Sequence, residues 1–380
     1  NNNLIKQTDP SGKVTTYTYD ANNQLTGKVV DGKSFTYNYD AKGNLESLVD
    51  SNNLTTGFSY DANKNRTDIN YSNGTKIKYG YGAINEVTDV SNLGPSGNVI
   101  ANFHYTYENN QVKTVTDSKG LTTYEYDGQN RLTKITDPSG KVTEYTFDDV
   151  GNRTSVSNTV NGVKSTTTYT YDNSTNELTK VTNPDGSTVS YTYDANGNTL
   201  TKTDSTGTTS YEYNSNNQLT KVIKPNGDVI QYAYDGDNKR ISKTINGVVT
   251  NYVYDGNEIG KEADASGNVL ASYVYDDKGS PISVTKGGKT YNYQYNGHGD
   301  VIALTDSNGN VVSTFAYDVW GNVAAKTGSI DSLYGYAGQF GYGYDKETEF
   351  YFLQSRYYDP GIGRFTTKDR FRGFENRPTS

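Results

Sequence analysis

The chain has 380 residues, of which 32% are hydrophobic with tyrosine included, and its net charge at pH 7 is -8. The absence of cysteine excludes disulfides, thiolate metal sites and cysteine nucleophiles. Lysine and arginine are scattered rather than clustered, and no apolar run reaches the roughly 18 residues of a membrane helix, so we expect neither nucleic-acid partners nor membrane insertion.

One repeat unit organises most of the sequence, and residues 121–141 show it well. Alternating Thr and Tyr residues predict a strand that ends at Tyr126, because side chains of an extended chain alternate between two faces. Residues 127–130 predict a turn, residues 131–136 a second strand, and residues 137–140 a type I turn. The unit is therefore a β-hairpin followed by a connecting turn.

The same hairpin recurs along the chain, and the aromatic residue that ends its first strand is called the marker. The octapeptide TDPSGKVT stands unchanged at residues 8–15 and 136–143, which supports a true repeat. A second aromatic, called the inner aromatic, precedes every marker by two residues and lies on the same face of the strand. The fifteen markers are Tyr19, Tyr39, Tyr60, Tyr81, Tyr107, Tyr126, Phe147, Tyr171, Tyr193, Tyr213, Tyr234, Tyr254, Tyr275, Tyr295 and Tyr317.

Low hydrophobicity alone would suggest disorder. The regular aromatic placement argues against it, because each partly buried Tyr contributes about 2 kcal/mol from its apolar area. We predict that the aromatic pairs form a structural ladder that joins consecutive hairpins. Its predicted members are Tyr17, Tyr19, Tyr37, Tyr39, Phe58, Tyr60, Tyr124, Tyr126, Tyr145, Phe147, Tyr191, Tyr193, Tyr232, Tyr234, Tyr252, Tyr254, Tyr273 and Tyr275.

Along the chain, the units keep close register to about Val90. The stretch from Ser91 to Ala101 lengthens one interval, and we interpret it as a surface loop. The units from Phe103 to Val249 are the most regular, with Asn-Gly hairpin tips at 161–162 and 246–247. The repeat ends near Val323, and the aromatic- and glycine-rich residues that follow predict a segment that caps the open edge of the array.

These elements predict an all-β fold without helices. Fifteen hairpins make about thirty strands, and open sheets rarely exceed about ten strands without curling. We therefore predict a single continuous antiparallel sheet of about thirty strands, coiled into a hollow β-shell or spiral tube. Residues 1–325 form the hairpin array in this prediction, and residues 326–380 form the capping segment.

The Tyr-Asp pairs that end most first strands, with the motifs at 130–133 (NRLT) and 151–154 (GNRT), carry a family resemblance. They resemble the YD repeats of Rhs proteins, of the shell component of bacterial toxin complexes and of teneurins. The C-terminal part resembles the Rhs-associated core. Its matching residues are Gly338, Gln339, Asp345, Glu347, Thr348 and Tyr351, followed by the core motif Arg356, Tyr357, Tyr358, Asp359, Pro360, Gly363, Arg364, Phe365 and Asp369.

The resemblance implies a bacterial protein that is secreted or displayed on the cell surface. Its β-shell would encapsulate a C-terminal cargo or toxin polypeptide, and the core-like segment would close one end. It implies a scaffold that is not an enzyme and that uses no cofactor and no metal. We expect the cargo domain to be absent from this chain, because the sequence reaches Ser380 before the junction at which family members release their cargo.

A second function stays open at this point. Rows of exposed tyrosines also occur in cell-surface or glycan-binding repeat modules, where aromatic faces stack on sugars. Such modules generally use tryptophan, and this chain has only Trp320. We therefore favour the shell and keep adhesion or binding to cell-surface glycans as the alternative.

The polar residues mostly predict structural roles. The Asp that follows most markers, as in Asp20, Asp40 and Asp235, recurs from hairpin to hairpin and is interpreted as a turn former that binds backbone N–H groups. His104 and His298 are too far apart in sequence for a metal pair or a catalytic triad.

The core-like segment also contains acidic and basic candidates. Some proteins of the resembled family have an aspartic autoprotease in this region, which draws attention to Asp345, Asp359 and Asp369. We favour turn and capping roles for these carboxylates. Arg356 and Arg364 are expected to anchor the cap by stacking or hydrogen bonding.

Overall fold

The computed structural model describes residues 3–8, 12, 14–30 and 32–369. The described chain divides into two compact units. Unit 1 is built from the stretches 1–104 and 250–344, and unit 2 from the stretches 105–249 and 345–369. Each unit therefore combines an early and a late part of the chain.

Nearly all regular structure in the described residues is β-strand, with one turn of 3₁₀-helix at Gly338–Phe340. In chain order the strands are β1 (Lys6–Thr8), β2 (Val14–Tyr19), β3 (Leu25–Val30), β4 (Lys33–Tyr39), β5 (Leu45–Val49), β6 (Thr55–Tyr60), β7 (Arg66–Asn70), β8 (Lys76–Tyr81), β9 (Val87–Leu93), β10 (Val99–Glu108), β11 (Gln111–Asp117), β12 (Gly120–Tyr126), β13 (Leu132–Thr136), β14 (Val142–Phe147), β15 (Arg153–Val160), β16 (Val163–Tyr171), β17 (Leu178–Thr182), β18 (Thr188–Tyr193), β19 (Thr199–Asp204), β20 (Gly207–Tyr213), β21 (Leu219–Ile223), β22 (Val229–Tyr234), β23 (Arg240–Ile245), β24 (Val248–Asp255), β25 (Glu258–Asp264), β26 (Val269–Tyr275), β27 (Pro281–Lys286), β28 (Lys289–Tyr295), β29 (Val301–Thr305), β30 (Val311–Tyr317), β31 (Val323–Gly328), β32 (Gly343–Asp345), β33 (Phe350–Leu353), β34 (Arg356–Asp359) and β35 (Arg364–Phe365).

Strands β1 to β31 form one sheet, and β32 to β35 form a small second sheet. Pairing is antiparallel and joins strands that follow one another in sequence, as in β17–β18, β18–β19 and β19–β20. This confirms the predicted all-β fold and its single continuous antiparallel sheet of about thirty strands. The hollow coil and the division at residue 325 stay predictions, and residues 370–380 of the predicted cap lie outside the described residues.

Most of the turns that follow a marker are organised by an Asp directly after it. In a representative turn, Oδ1 of Asp40 accepts the backbone N–H groups of Lys42 and Asn44 at 2.8 and 2.9 Å, and Oδ2 accepts the Asn44 side-chain amide at 2.8 Å. Gly43 has φ 80°, a left-handed conformation that glycine adopts without strain. Backbone N–H groups also bind the carboxylates of Asp20 and Asp235, which confirms the predicted turn-forming role.

These turns predict a loss of stability in acid. The side-chain amide of Asn44, followed by backbone N–H groups, lowers the pKa of Asp40, and the Asn65 amide does the same for Asp61. A carboxylate with a lowered pKa in the folded state stabilises the fold above its unfolded pKa of about 3.9, and this contribution is lost as the pH falls through the folded pKa. We expect thermal midpoints to be level at neutral pH and to fall below about pH 4. Circular dichroism melts across pH should show a shallower fall for Asp40→Asn with Asp61→Asn; an unchanged slope would contradict this assignment.

The hydroxyl groups of the marker tyrosines bond to the neighbouring strand, which belongs to the preceding hairpin. The Tyr193 hydroxyl donates to the Leu178 carbonyl at 2.8 Å, and the Tyr234 hydroxyl donates to the Leu219 carbonyl at 2.8 Å. The acceptor lies at the start of the second strand of the preceding hairpin, and this strand pairs directly with the strand that the marker ends. Each bond therefore runs from one hairpin to the one before it. A β-bulge lies between Thr192 and the marker, and a bulge lies at the same place before most other markers, for example Tyr171, Tyr213 and Tyr234. Equivalent hydroxyl bonds are made by Tyr39, Tyr81, Tyr126, Tyr171, Tyr275 and Tyr295.

The hydroxyl bond explains a preference for Tyr over Phe at the marker. We expect Tyr193→Phe, which keeps the ring, to lower the free energy of unfolding by about 1 kcal/mol. Tyr193→Leu should cost more, because it also removes ring packing. Urea unfolding followed by circular dichroism would measure both; equal midpoints for Tyr193→Phe and wild type would show that the bond adds no stability.

In unit 1 the early strands contact the late strands directly. The Tyr71 hydroxyl donates to the Tyr293 carbonyl at 2.6 Å, and the Asn92 side-chain amide donates to the Tyr295 carbonyl at 2.9 Å. Asn92 is fully buried within β9, so the prediction of a surface loop from Ser91 to Ala101 is wrong for most of that stretch. The additional residues lengthen the β9–β10 hairpin and confine its turn to residues 94–98.

Candidate functional site

All the predicted ladder residues are buried or partly buried. Inner aromatics are the more deeply buried set, with Tyr37, Tyr191 and Tyr232 between 4% and 7% exposed. Most markers are half-buried. The outward-facing residues between them, such as Thr192, are exposed. The sheet thus has an aromatic face and a polar face, while the role of the ladder in joining hairpins stays a prediction.

In unit 2, part of the aromatic face lies beneath the strap, defined here as residues 345–369. Phe350 stacks on Tyr211 with ring centroids 6.0 Å apart, and Tyr357 lies 5.2 Å from Tyr232. Together with Phe352, these rings form one buried cluster. This cluster also contains Leu219, Val222 and Ile230. The strap therefore covers apolar surface that the strands β20 to β22 would otherwise expose.

A buried ion cluster lies beside these rings. Arg240 Nη1 is 2.6 Å from Asp345 Oδ2, and their side chains are 1% and 0% exposed. Lys243 Nζ is 2.9 Å from Asp345 Oδ1 and 2.8 Å from Glu347 Oε2. The Arg240 guanidinium also donates to the Tyr357 hydroxyl at 2.9 Å and stacks over Phe352 at 4.6 Å.

The cluster keeps Asp345 ionised. Burial by itself would raise the pKa of Asp345, but Arg240 and Lys243 outweigh it and lower the pKa below its ordinary value. Because Asp345 binds two cations of strand β23, it attaches the strap to the large sheet. Asp345 and Glu347 lie in the segment that resembles the Rhs-associated core, whereas the sequence motifs do not point to Arg240 or Lys243.

The first residues of the core-like motif hold the strap together. Arg356 stacks over Phe365 at 3.7 Å and forms an ion pair with Asp369 at 2.9 Å. Tyr358 meets Phe365 edge to face at 5.7 Å, across the β34–β35 pair. The adjacent Tyr357 is buried on the opposite side, against the strands of the large sheet.

The rest of the motif forms a turn and an anchor. Asp359 Oδ1 accepts the Gly361 N–H and its carbonyl accepts the Gly363 N–H, both at 2.9 Å. Burial raises the pKa of Asp359, and the adjacent Pro360 is also buried. Arg364 stacks over Tyr171 at 5.1 Å and donates to Asn152 Oδ1 and to the Asn176 carbonyl, both at 3.0 Å.

The three carboxylates considered for proteolysis therefore have different surroundings. Asp345 binds Arg240 and Lys243, Asp359 binds backbone N–H groups of its own turn, and Asp369 binds Arg356. The structure gives each a local structural partner and does not assemble them into a shared hydrogen-bonded pair.

A signal for the missed arginine exists in the repeat itself. The residue paired with the marker across the hairpin, called the marker-paired residue, is usually aliphatic, as in Leu178 and Leu219. It is arginine at Arg66, Arg153 and Arg240. Each of these arginines binds a group more than 100 residues away: Asp276 at 2.6 Å, the Ile362 carbonyl at 3.0 Å and Asp345 at 2.6 Å. Arginine in a leucine position thus marks a contact with a distant segment.

The two histidines each contact a nearby carboxylate. His104 contacts Asp89 at 2.7 Å, and His298 contacts Asp300 at 2.8 Å. Within the part of the chain that the structure describes, no group of three or more His, Asp or Glu side chains could hold a metal ion. None of its helical residues forms a segment long and apolar enough to cross a membrane.

An open cleft of about 460 Å³ borders the strap in unit 2. Its lining includes Tyr211 and the charged side chains of Lys202, Lys224, Asp204 and Glu349. Since these are two cations and two anions, the charges of the lining balance.

A continuous sheet of repeated hairpins with a docked C-terminal strap defines a YD-repeat scaffold. A model of the teneurin YD-shell family matches residues 96–379, and a model of the RHS repeat matches residues 1–36 and 39–76. The first match covers well over half of the chain, which therefore belongs to the teneurin YD-shell family. This confirms the resemblance to Rhs and YD-repeat proteins.

Several curated proteins share short stretches with this chain. It is 47% identical over 75 residues to the tRNA(Glu)-specific nuclease WapA of Bacillus subtilis subsp. natto, which is 19% of this chain and 3% of that protein. It is 38% identical over 71 residues to the uncharacterized protein YlbH of Escherichia coli K12, which is 18% of this chain and 29% of YlbH. The chain thus spans only a small part of the relatives it matches.

Solved structures with a similar fold include the TcdB2-TccC3 complex, with a TM-score of 0.77 and 19% identity. The match covers 94% of this chain and 21% of that chain. The Tc holotoxin pore of Photorhabdus luminescens with the TccC3-D651A mutation has a TM-score of 0.71 and 18% identity, over 94% of this chain and 20% of that one. At these identities the likeness shows the fold alone.

Proposed function

We propose that this chain forms part of the wall of a secreted or cell-surface bacterial shell that encapsulates a cargo or toxin polypeptide. The observation that carries the proposal is the uninterrupted 31-stranded sheet, in a chain that belongs to the teneurin YD-shell family. A sheet joined strand to strand leaves no unpaired edge between hairpins through which a protease could reach an enclosed chain. In this proposal the chain acts by confinement and is not an enzyme.

The alternative, a glycan-binding module, needs aromatic faces that sugars can reach. The burial of Tyr37, Tyr191 and Tyr232 does not favour it. In unit 2, moreover, Phe350 and Tyr357 of the strap already stack on inner aromatics.

A protection assay tests the shell. An unstructured segment carrying a recognition site for a site-specific protease would be appended after residue 380, within the complete reading frame. We expect cleavage to be slowed about tenfold or more relative to the same segment placed before residue 1, because access then requires opening of the wall. Equal cleavage rates would contradict encapsulation. Saturable binding on a glycan array that is lost with Tyr→Ala changes in one hairpin would instead support the alternative.

A further inference from the structure

The repeated hairpins of unit 2 offer the strap several nearly equivalent places to dock. Leu178 and Leu219 are marker-paired residues of different hairpins, and both are at most 1% exposed. Each belongs to an apolar cluster that includes a strap residue, Ile362 for Leu178 and Phe352 for Leu219. Apolar burial is non-directional, so such contacts alone would stabilise a strap displaced by one hairpin almost as well.

Arginine at the marker-paired position removes this equivalence. In the hairpin that follows Leu219, the position holds Arg240, whose guanidinium is buried against Asp345. A strap displaced by one hairpin would place Asp345 beside Leu219 and leave both charges buried without each other. Burying an unpaired charge is heavily penalised, so the displaced arrangement is disfavoured.

Two further contacts also favour the observed alignment of the strap. Lys243, on the same strand as Arg240, binds both Asp345 and Glu347, so the acidic turn of the strap meets two cations. Farther along the strap, Arg153 donates to the Ile362 carbonyl at 3.0 Å. Polar contacts therefore fix the strap at two separate places along its length.

We propose that Arg240, Lys243 and Arg153 are register-determining residues, which select the single alignment of the strap on the repeats. The apolar clusters supply most of the stability of docking. Buried ion pairs often add little stability over well-packed hydrophobic residues, whereas they can specify one arrangement among several. The inference deepens the proposed function by naming how this part of the wall closes. It rests on that function only in treating the strap as part of the wall.

The test uses one variant that removes the two cations and the two anions of the cluster together. The variant Arg240→Leu, Asp345→Leu, Lys243→Gln and Glu347→Gln places leucine where neighbouring repeats have it. The control, Lys221→Leu with Glu212→Leu, removes an ion pair with side chains 28% and 56% exposed on the polar face. Register is read from the zero-length carbodiimide cross-link between Lys368 and Glu177, whose charged atoms lie 3.0 Å apart.

We expect the variant to keep an unfolding midpoint near that of wild type while the native cross-link falls about threefold or more, because alignments of similar apolar energy become populated. New cross-links from Lys368 to other carboxylates should appear, and the control should match wild type. An undiminished native cross-link would overturn the proposal. A variant that fails to fold, or that loses as much stability as Arg240→Leu alone, would also overturn it, because the charges would then be supplying stability. No cargo is needed, so the outcome is independent of the protection assay.

Discussion

Replacing Arg240 with leucine, without any change at Asp345, is expected to lower the free energy of unfolding by about 3–5 kcal/mol. Leucine occupies the same position in neighbouring repeats, so we do not expect the loss of stability to come from poor packing. It comes from Asp345, which stays fully buried and keeps only Lys243 as a cationic partner. Urea unfolding monitored by circular dichroism provides the measurement.

Lys134→Leu is a suitable comparison for this substitution. Lys134 pairs with Glu125 on the polar face, with side chains 36% and 51% exposed. Exposed ion pairs contribute little to stability, so this variant should unfold at the same urea concentration as wild type. A similar loss in both variants, or none at Arg240, would show that the buried cluster has no special energetic role.

The second large effect is expected at the apolar part of the same site. Leu219→Ala should lower the free energy of unfolding by about 2–5 kcal/mol, because it removes buried methyl groups and leaves a cavity between the strands and the strap. Leu219 is 1% exposed and shares a cluster with Phe352 and Tyr357.

Leu121→Ala makes the same chemical change at a residue that is 51% exposed, and it should shift stability by less than about 0.5 kcal/mol. Denaturant midpoints and slopes of the two variants would show whether the loss of stability depends on the burial of the leucine that is replaced. If both alanine variants lost little, the strap would not depend on the apolar cluster.

Much of the fold could be predicted from the sequence because the same strand and turn pattern recurs in many units. The spacing between Tyr124 and Tyr126 has the period of a strand, and the Asp that follows most markers is a typical turn residue. Repetition makes such local signals cumulative. A single weak hairpin becomes a reliable element when fifteen copies agree.

The contacts between distant segments could not be predicted in the same way. Ser91 to Ala101 looks like a loop because Gly94, Pro95 and Gly97 favour turns, yet Asn92 is buried by Tyr295, a residue from a far part of the chain. Arg240 looks like an ordinary surface cation until Asp345 is placed over it. These roles depend on partners more than 100 residues away, which local pattern cannot identify.

The hydroxyl bonds of the marker tyrosines have a consequence for how such arrays evolve. Each bond leaves one hairpin and ends on the one before it, always at the same place in the unit. Duplication or loss of a whole unit preserves every donor and acceptor at the new junction. Gain or loss of a single strand would reverse the direction of all following strands. The marker hydroxyl would then no longer lie next to its carbonyl acceptor. We therefore expect arrays of this kind to change length in steps of two strands.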